Sequence, residues 1–234
     1  MVNRLTEFIA QTKGISTSRV IYFHKGKSYT YDTEQLVQAV TDFTQDKKGG
    51  NYFKDKTFKI QVDEFNDFIK EYKKSVTGIE FGEDNSIKIK TNIPNINLTF
   101  AWDKNDSIKL EKIKKFFDID NLKIYSENKI FDYTFTDEEL KKYVDEKPVR
   151  MFADLDNNCI AFNDENLETF LMISIFPKYL GKLLSSTKLF NLKIYSTDKE
   201  SIFLIHYMIR NMNILSEYFG LCTDLVPIKE GGLD

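Results

Sequence analysis

Cysteine, histidine and proline are all scarce in this chain, at two, two and four of 234 residues, and each scarcity excludes something. Cys159 and Cys222 are too few to frame a disulfide-stabilised secreted domain, which points to a reducing compartment. The longest apolar run, Phe170 to Phe176, is interrupted by Ser174 and falls far short of the roughly 20 residues that span a bilayer. The opening M-V-N-R-L-T-E-F has no apolar signal stretch, so the expected location is cytoplasmic, with no membrane partner. No Gly-rich phosphate loop, zinc-ligand spacing or nucleophile elbow occurs, so neither an enzyme nor a bound cofactor is expected. His24 and His206 stand far apart in strand-like contexts and read as partly exposed or satisfied side chains, not as a catalytic pair. Cys159 and Cys222 read as small buried apolar groups.

What remains is ordinary globular material: 41% hydrophobic and 14% aromatic residues, with 29% charge nearly balanced at a net of -3. That length suits one large domain or two small ones. A sequence pI near 5.6 argues against a domain that grips nucleic acid mainly by charge, while leaving room for one basic face.

Hydrophobic spacing sets the elements. Leu5, Phe8 and Ile9 make one stripe of a helix over 3–12. Val20 to Phe23 and Ser28 to Tyr31 form a hairpin turned at H-K-G-K by Gly26. Glu34 to Phe43 suits helix or strand, and Thr44 to Asn51 suits a surface loop. Phe58, Ile60 and Val62 alternate as a strand, and Asp63 is the expected N-cap of a helix to Lys74 with Phe65, Phe68, Ile69 and Tyr72 inward. Strands follow over 78–81, 87–91 and 98–102.

The second half repeats this order. Thr136 and Glu139 form a capping box ahead of a helix with Leu140, Tyr143 and Val144 inward. Val149 to Ala153 and Cys159 to Phe162 make a hairpin across D-L-D-N-N. Glu168 to Ile175 is a strand, and Pro177 suits position N1 of a fourth helix marked by Leu180, Leu183 and Leu184. Strands over 190–196, 202–208 and 212–218 close the chain. The connector, 103–135, holds an extra helix from Ser107 with Leu110, Ile113, Phe116 and Phe117, then strands at 122–125 and 131–135. Two helices with many strands, twice over, form an internal repeat without residue identity, divided at 1–118 and 119–234.

Two motifs invite sharper readings. Asp154, Asp156, Asn158 and Glu165 occupy positions 1, 3, 5 and 12 of a calcium loop, but Cys159 stands where the sharp turn needs Gly, so a hairpin turn is preferred. I-K-K-F-F at 113–117 carries the aliphatic and paired aromatics of a clamp-binding peptide, but Leu110 replaces its glutamine, and a buried helix stripe is preferred.

The segments F-K-I-Q-V-D-E-F-N-D-F-I-K-E-Y, G-I-E-F-G-E-D-N-S-I-K-I-K and N-L-T-F-A-W resemble the second helix and following strands of domain one in phage DNA polymerase sliding clamps of the T-even type. F-P-K-Y-L-G-K-L-L-S-S-T-K-L-F-N-L-K-I-Y-S, with S-I-F-L-I-H-Y-M-I-R-N-M-N-I-L-S-E-Y-F, is similar to the end of clamps in general, proliferating cell nuclear antigen included. The resemblance implies an α+β processivity fold of two similar domains per chain, closing head-to-tail as a homotrimer around double-stranded DNA. It also implies a DNA polymerase and a clamp-loader ATPase as partners. Lining residues would be Arg4, Lys70, Lys73, Lys74, Lys141, Lys142, Lys178 and Lys182, although Glu64, Asp67 and Glu71 share the second helix. Partner peptides would dock in an apolar pocket beside the connector, with Tyr218, Phe219 and Leu221 as candidates. The rival expectations are a clamp-like viral transcription factor that recruits RNA polymerase, and an α+β enzyme whose site has no recognisable motif.

Overall fold

A computed structural model describes residues 1–13, 19–32, 37–116, 128–146, 150–163, 170–173, 175, 180–181, 184–185, 187–196, 201–209 and 215–224. The expected strand at 122–125 and the Phe117 end of the connector helix lie outside these residues. The fold is mixed α+β, its described strand pairs all antiparallel.

The first half opens with α1 (Val2–Lys13), then β1 (Val20–His24), β2 (Lys27–Asp32) and β3 (Val37–Asp42). The β1–β2 turn takes positive φ at both central residues, Lys25 at 48° and Gly26 at 78°, as a two-residue hairpin requires. A Cβ on Gly26 would also lie 2.6 Å from Thr44 Cγ2. Alternation then gives this sheet two covered faces. Ile21 and Phe23 pack with Leu5, Phe8 and Ile9 of α1. Tyr22, Tyr29 and Val40 point the other way, where Leu110 and Ile113 of the connector helix cover them.

Thr44 to Asn51 is more than a surface loop: it leads into a short helix, α2 (Gly50–Phe53), that drives Phe53 into the core at 1% exposure. Gly50 permits this, because a Cβ there would stand 2.3 Å from the Phe43 carbonyl oxygen. After β4 (Thr57–Gln61) comes α3 (Val62–Tyr72). Its N-cap is Gln61, which makes no side-chain capping bond, and Asp63 sits with Glu64 inside the first turn. There both carboxylates favour the positive end of the helix dipole, a role distinct from the expected cap. A separate three-stranded meander follows: β5 (Val76–Phe81), β6 (Ile87–Thr91) and β7 (Asn97–Phe100).

The connector helix α4 (Lys104–Phe116) starts earlier than expected because Asp103 caps it, its Oδ1 accepting from the amides of Asn105 at 2.7 Å and Asp106 at 3.1 Å. Ile113 is buried there, as the stripe reading expected. β8 (Lys129–Thr134) then leads to α5 (Asp137–Glu146). Both halves of its capping box form: the Thr136 amide donates to Glu139 Oε2 at 2.7 Å, and the Glu139 amide donates to Thr136 Oγ1 at 3.2 Å. The hairpin of β9 (Met151–Asp154) and β10 (Cys159–Phe162) turns as expected, Asp154 Oδ1 accepting from the amides of Asp156 and Asn157. β11 (Phe170–Ile173), helical backbone at residues 180–181 and 184–185, and the long strands β12 (Thr187–Ser196), β13 (Ser201–Ile209) and β14 (Leu215–Asp224) complete the chain.

The topology repeats. In the first half a helix, α1, precedes a hairpin whose inner strand also pairs the next-but-one strand, giving the order β2-β1-β4; then come α3 and a three-stranded meander. In the second, α5 precedes the order β10-β9-β11, then helical backbone, then the meander β12-β13-β14. Each half has its own core. Phe8, Phe23, Phe58 and Phe65 centre the first; Leu140, Leu180, Leu184 and Phe190 centre the second.

The halves meet where β14 pairs with β3, Ser216 opposite Thr41 through Phe219 opposite Gln38. Polar side chains fill that seam. Gln11 Nε2 donates to Ser216 Oγ at 2.7 Å, Ser216 and Thr41 hydroxyls lie 2.9 Å apart, and Tyr207 donates to the Gln11 carbonyl at 2.8 Å. Gln11, Thr41, Ser216 and Tyr207 are all fully buried. Burying them costs stability only if they are left unbonded, so the network holds the strand register.

Candidate nucleic-acid interface

The helices expected to face DNA pack as pairs on the two cores: α1 with α3, and α5 with the helical backbone at 180–185. Their apolar stripes point inward, which leaves the polar faces outward.

The structure gives the basic candidates different environments. Arg4 is tied down: its Nε donates to Asp46 Oδ2 at 2.9 Å and its other nitrogens bond Asp46 and Glu7. Its bonds to Asp46 raise the guanidinium above its ordinary value against the cost of burial. Burial pushes the Asp46 carboxyl up, but the bonds from Arg4 and the Gly49 amide outweigh it and hold the group below the usual carboxylate range. With 17% of its side chain exposed and two carboxylates on it, Arg4 serves the fold and is not a free phosphate ligand, contrary to the expectation. Lys70, Lys73 and Lys74 are exposed at the end of α3, and Lys141 and Lys142 are exposed on α5. Lys142 Nζ also lies 5.7 Å from the centroid of Tyr143. Lys178 and Lys182 lie outside the described residues.

Charge on these helices is dominated by acids. Alongside Lys70, α3 carries Asp63, Glu64, Asp67 and Glu71; alongside Lys141 and Lys142, α5 carries Asp137, Glu138, Glu139, Asp145 and Glu146. The basic helix is α4, with Lys104, Lys109, Lys112, Lys114 and Lys115 against Asp106 and Glu111, and it covers the opposite face of the first-half sheet from α1.

Tyr218, Phe219 and Leu221 are not at the end of the last strand. β14 runs on to Asp224, so they sit within it, Tyr218 between Ala39 of β3 and Ile205 of β13, and Leu221 opposite Ile202. The pocket beside the connector is a groove of about 430 Å³ between α4 and the sheet, lined by Lys27, Tyr29, Val40, Glu111, Lys114, Lys115 and Glu217. Its wall is mixed, with salt-bridging groups around two apolar side chains, unlike the apolar pocket expected.

Sequence reasoning missed the clasp that fixes α4. Lys59 Nζ meets Asp106 Oδ2 at 2.5 Å, and the Tyr22 hydroxyl reaches Asp106 Oδ1 at 3.3 Å. Trp102 stacks edge-on against Tyr22 and donates to Ser107 Oγ at 3.0 Å. The local D-K-N-D run signals the cap, but nothing local signals a partner 47 residues away.

Among the described residues, no cluster of His, Cys, Asp and Glu could hold a metal ion, and no helix is long and apolar enough to cross a membrane. No family model matches the chain, and no curated protein matches it. Among solved structures, the Helicobacter pylori beta clamp in complex with diflunisal is similar at 14% identity and a TM-score of 0.48, over 96% of this chain and 64% of that one. The H. pylori beta clamp bound to a DNA ligase peptide is similar at 11% identity and a TM-score of 0.45, over 96% of this chain and 63% of the other. The chain thus spans a little under two thirds of their length.

Proposed function

We propose that the chain is a DNA sliding clamp: a homotrimeric ring that encircles duplex DNA, tethers a DNA polymerase, is opened by a loader ATPase and catalyses no reaction itself. The observation that carries this reading is the topological repeat, in which a helix, a three-strand unit, a second helix and a meander recur and join through a continuous antiparallel sheet. Such a chain is a run of similar modules joined edge to edge, the architecture from which closed rings are built. The sequence resemblance to sliding clamps supplies the function, and the T-even phage type rests on that resemblance alone.

The acid-rich α3 and α5 suit a ring that holds DNA by topology, because topology needs little affinity. Electrostatic binders making six to ten phosphate contacts lose about 10³ to 10⁵ in affinity between 50 and 200 mM salt. Protein loaded on nicked circular DNA should survive that rise, and cutting the circle should release it. Equal retention on circular and linear DNA would overturn the encircling reading in favour of a groove-binding or transcription-adaptor protein.

A further inference from the structure

The repeat makes β7 the counterpart of β14: each is the last strand of the meander that follows the second helix of its half. Their edges are used differently. β14 is bonded to β13 along one edge and to β3 and β11 along the other. Among the described strands, β7 is paired with β6 alone.

Five described strands have a single neighbour: β4, β5, β7, β8 and β10. Outer strands are commonly protected from pairing with other chains by charged side chains. β4 carries Lys59, β5 carries Glu80, and β8 carries Lys129 and Asp132. β7, N-L-T-F, and β10, C-I-A-F, carry no charge, and they belong to different halves. The uncharged outer strands are therefore one per half, the arrangement that a head-to-tail joint between copies needs.

We infer that a second copy of this chain docks on β7, the edge of β7 in one copy pairing along the β10 side of the second-half sheet of the next, while the β3–β14 seam stays within each chain. The inference rests on the ring reading above and specifies which joint lies between chains. A heterologous joint of this kind repeats around the molecule until it closes. The buried network of Gln11, Thr41, Ser216 and Tyr207 is then a permanent internal weld, and the β7 joint is the one that opens.

Two variants test this, both in a Cys159→Ala, Cys222→Ala background. Val40 and Glu217 are opposite each other across the seam. In Val40→Cys/Glu217→Cys, oxidation should give a single-chain band on a non-reducing denaturing gel while light scattering still reports the oligomer. Asn97 and Thr99 are exposed, so Asn97→Lys/Thr99→Lys should leave the thermal midpoint unchanged and lower the solution mass threefold, to one chain. A covalent ladder of two and three chains from the cysteine pair would place β3–β14 between copies and overturn the inference with the ring intact. An oligomer that survives the two lysines would do the same. A parent protein that is monomeric up to high micromolar concentration would overturn the ring and this joint together.

Discussion

Lys59 and Asp106 show how a single pair decides where a helix lies. Their side chains are 15% and 4% exposed, so each charge is held in the interior by the other. Removing one partner of a buried pair costs about 3–5 kcal/mol, whereas replacing both with apolar groups of similar size is near neutral. Asp106→Ala should therefore lower the unfolding free energy by about 3 kcal/mol in urea, partial exposure of Lys59 placing it at the low end, and Lys59→Met/Asp106→Leu should recover most of it. Equal losses in both variants would mean that packing, not charge, holds α4. Asp46 makes a second residue-scale prediction. Its carboxyl is depressed below the ordinary value, so the unfolded chain takes up the proton first as pH falls. Its contribution is present above the unfolded Asp value of about 3.9 and is lost as pH drops from there through the lower folded value. Stability measured from pH 6 to 2.5 should fall below about pH 4, and Arg4→Met should flatten that fall. An unchanged slope in Arg4→Met would show that the pair does not set the titration.

Elements governed by local chemistry were legible in the sequence. The Thr136–Glu139 box, the Gly26 hairpin and the stripe of α1 each depend on residues within four positions of one another, and each stands as read. Thr136→Ala should accordingly cost about 1 kcal/mol, with Thr136→Ser near parent stability by thermal or urea unfolding. What could not be read depends on partners distant in the chain. Asp63 and Gln61 are equally good candidates to end a strand, and the cap falls on Gln61 because β4 keeps pairing with β1 up to that residue. Glu34 to Phe43 was ambiguous between helix and strand; pairing with β2 and β14 decides it as β3. The same limit applies to the interface. Periodicity marks Lys70, Lys141 and Lys142 as solvent-facing, but Arg4 looked equally free until Asp46, 42 residues on, closed over it.

Across the whole molecule the charge is unevenly placed: acids on α3 and α5, lysines on α4, and a net of only -3. A ring does not need its inner helices to bind tightly, and tight binding would slow sliding, since every phosphate contact must be broken to move. This separates lining by α3 from lining by any other surface. Glu64 and Asp67 are exposed on α3, so Glu64→Lys/Asp67→Lys should leave the fold and mass unchanged. If α3 faces the duplex, the variant gains two phosphate contacts per chain, and the slope of log affinity against log salt on linear DNA should steepen by about 0.9 for each contact engaged. Protein should then remain on the DNA after the circle is cut at 50 mM salt, where the parent leaves. Anisotropy titrations on a linear duplex at several salt concentrations measure the slope directly. An unchanged slope with intact oligomers would remove α3 from the lining and leave α4, the lysine-rich helix on the opposite face of the first-half sheet from α1, as the surface to test next.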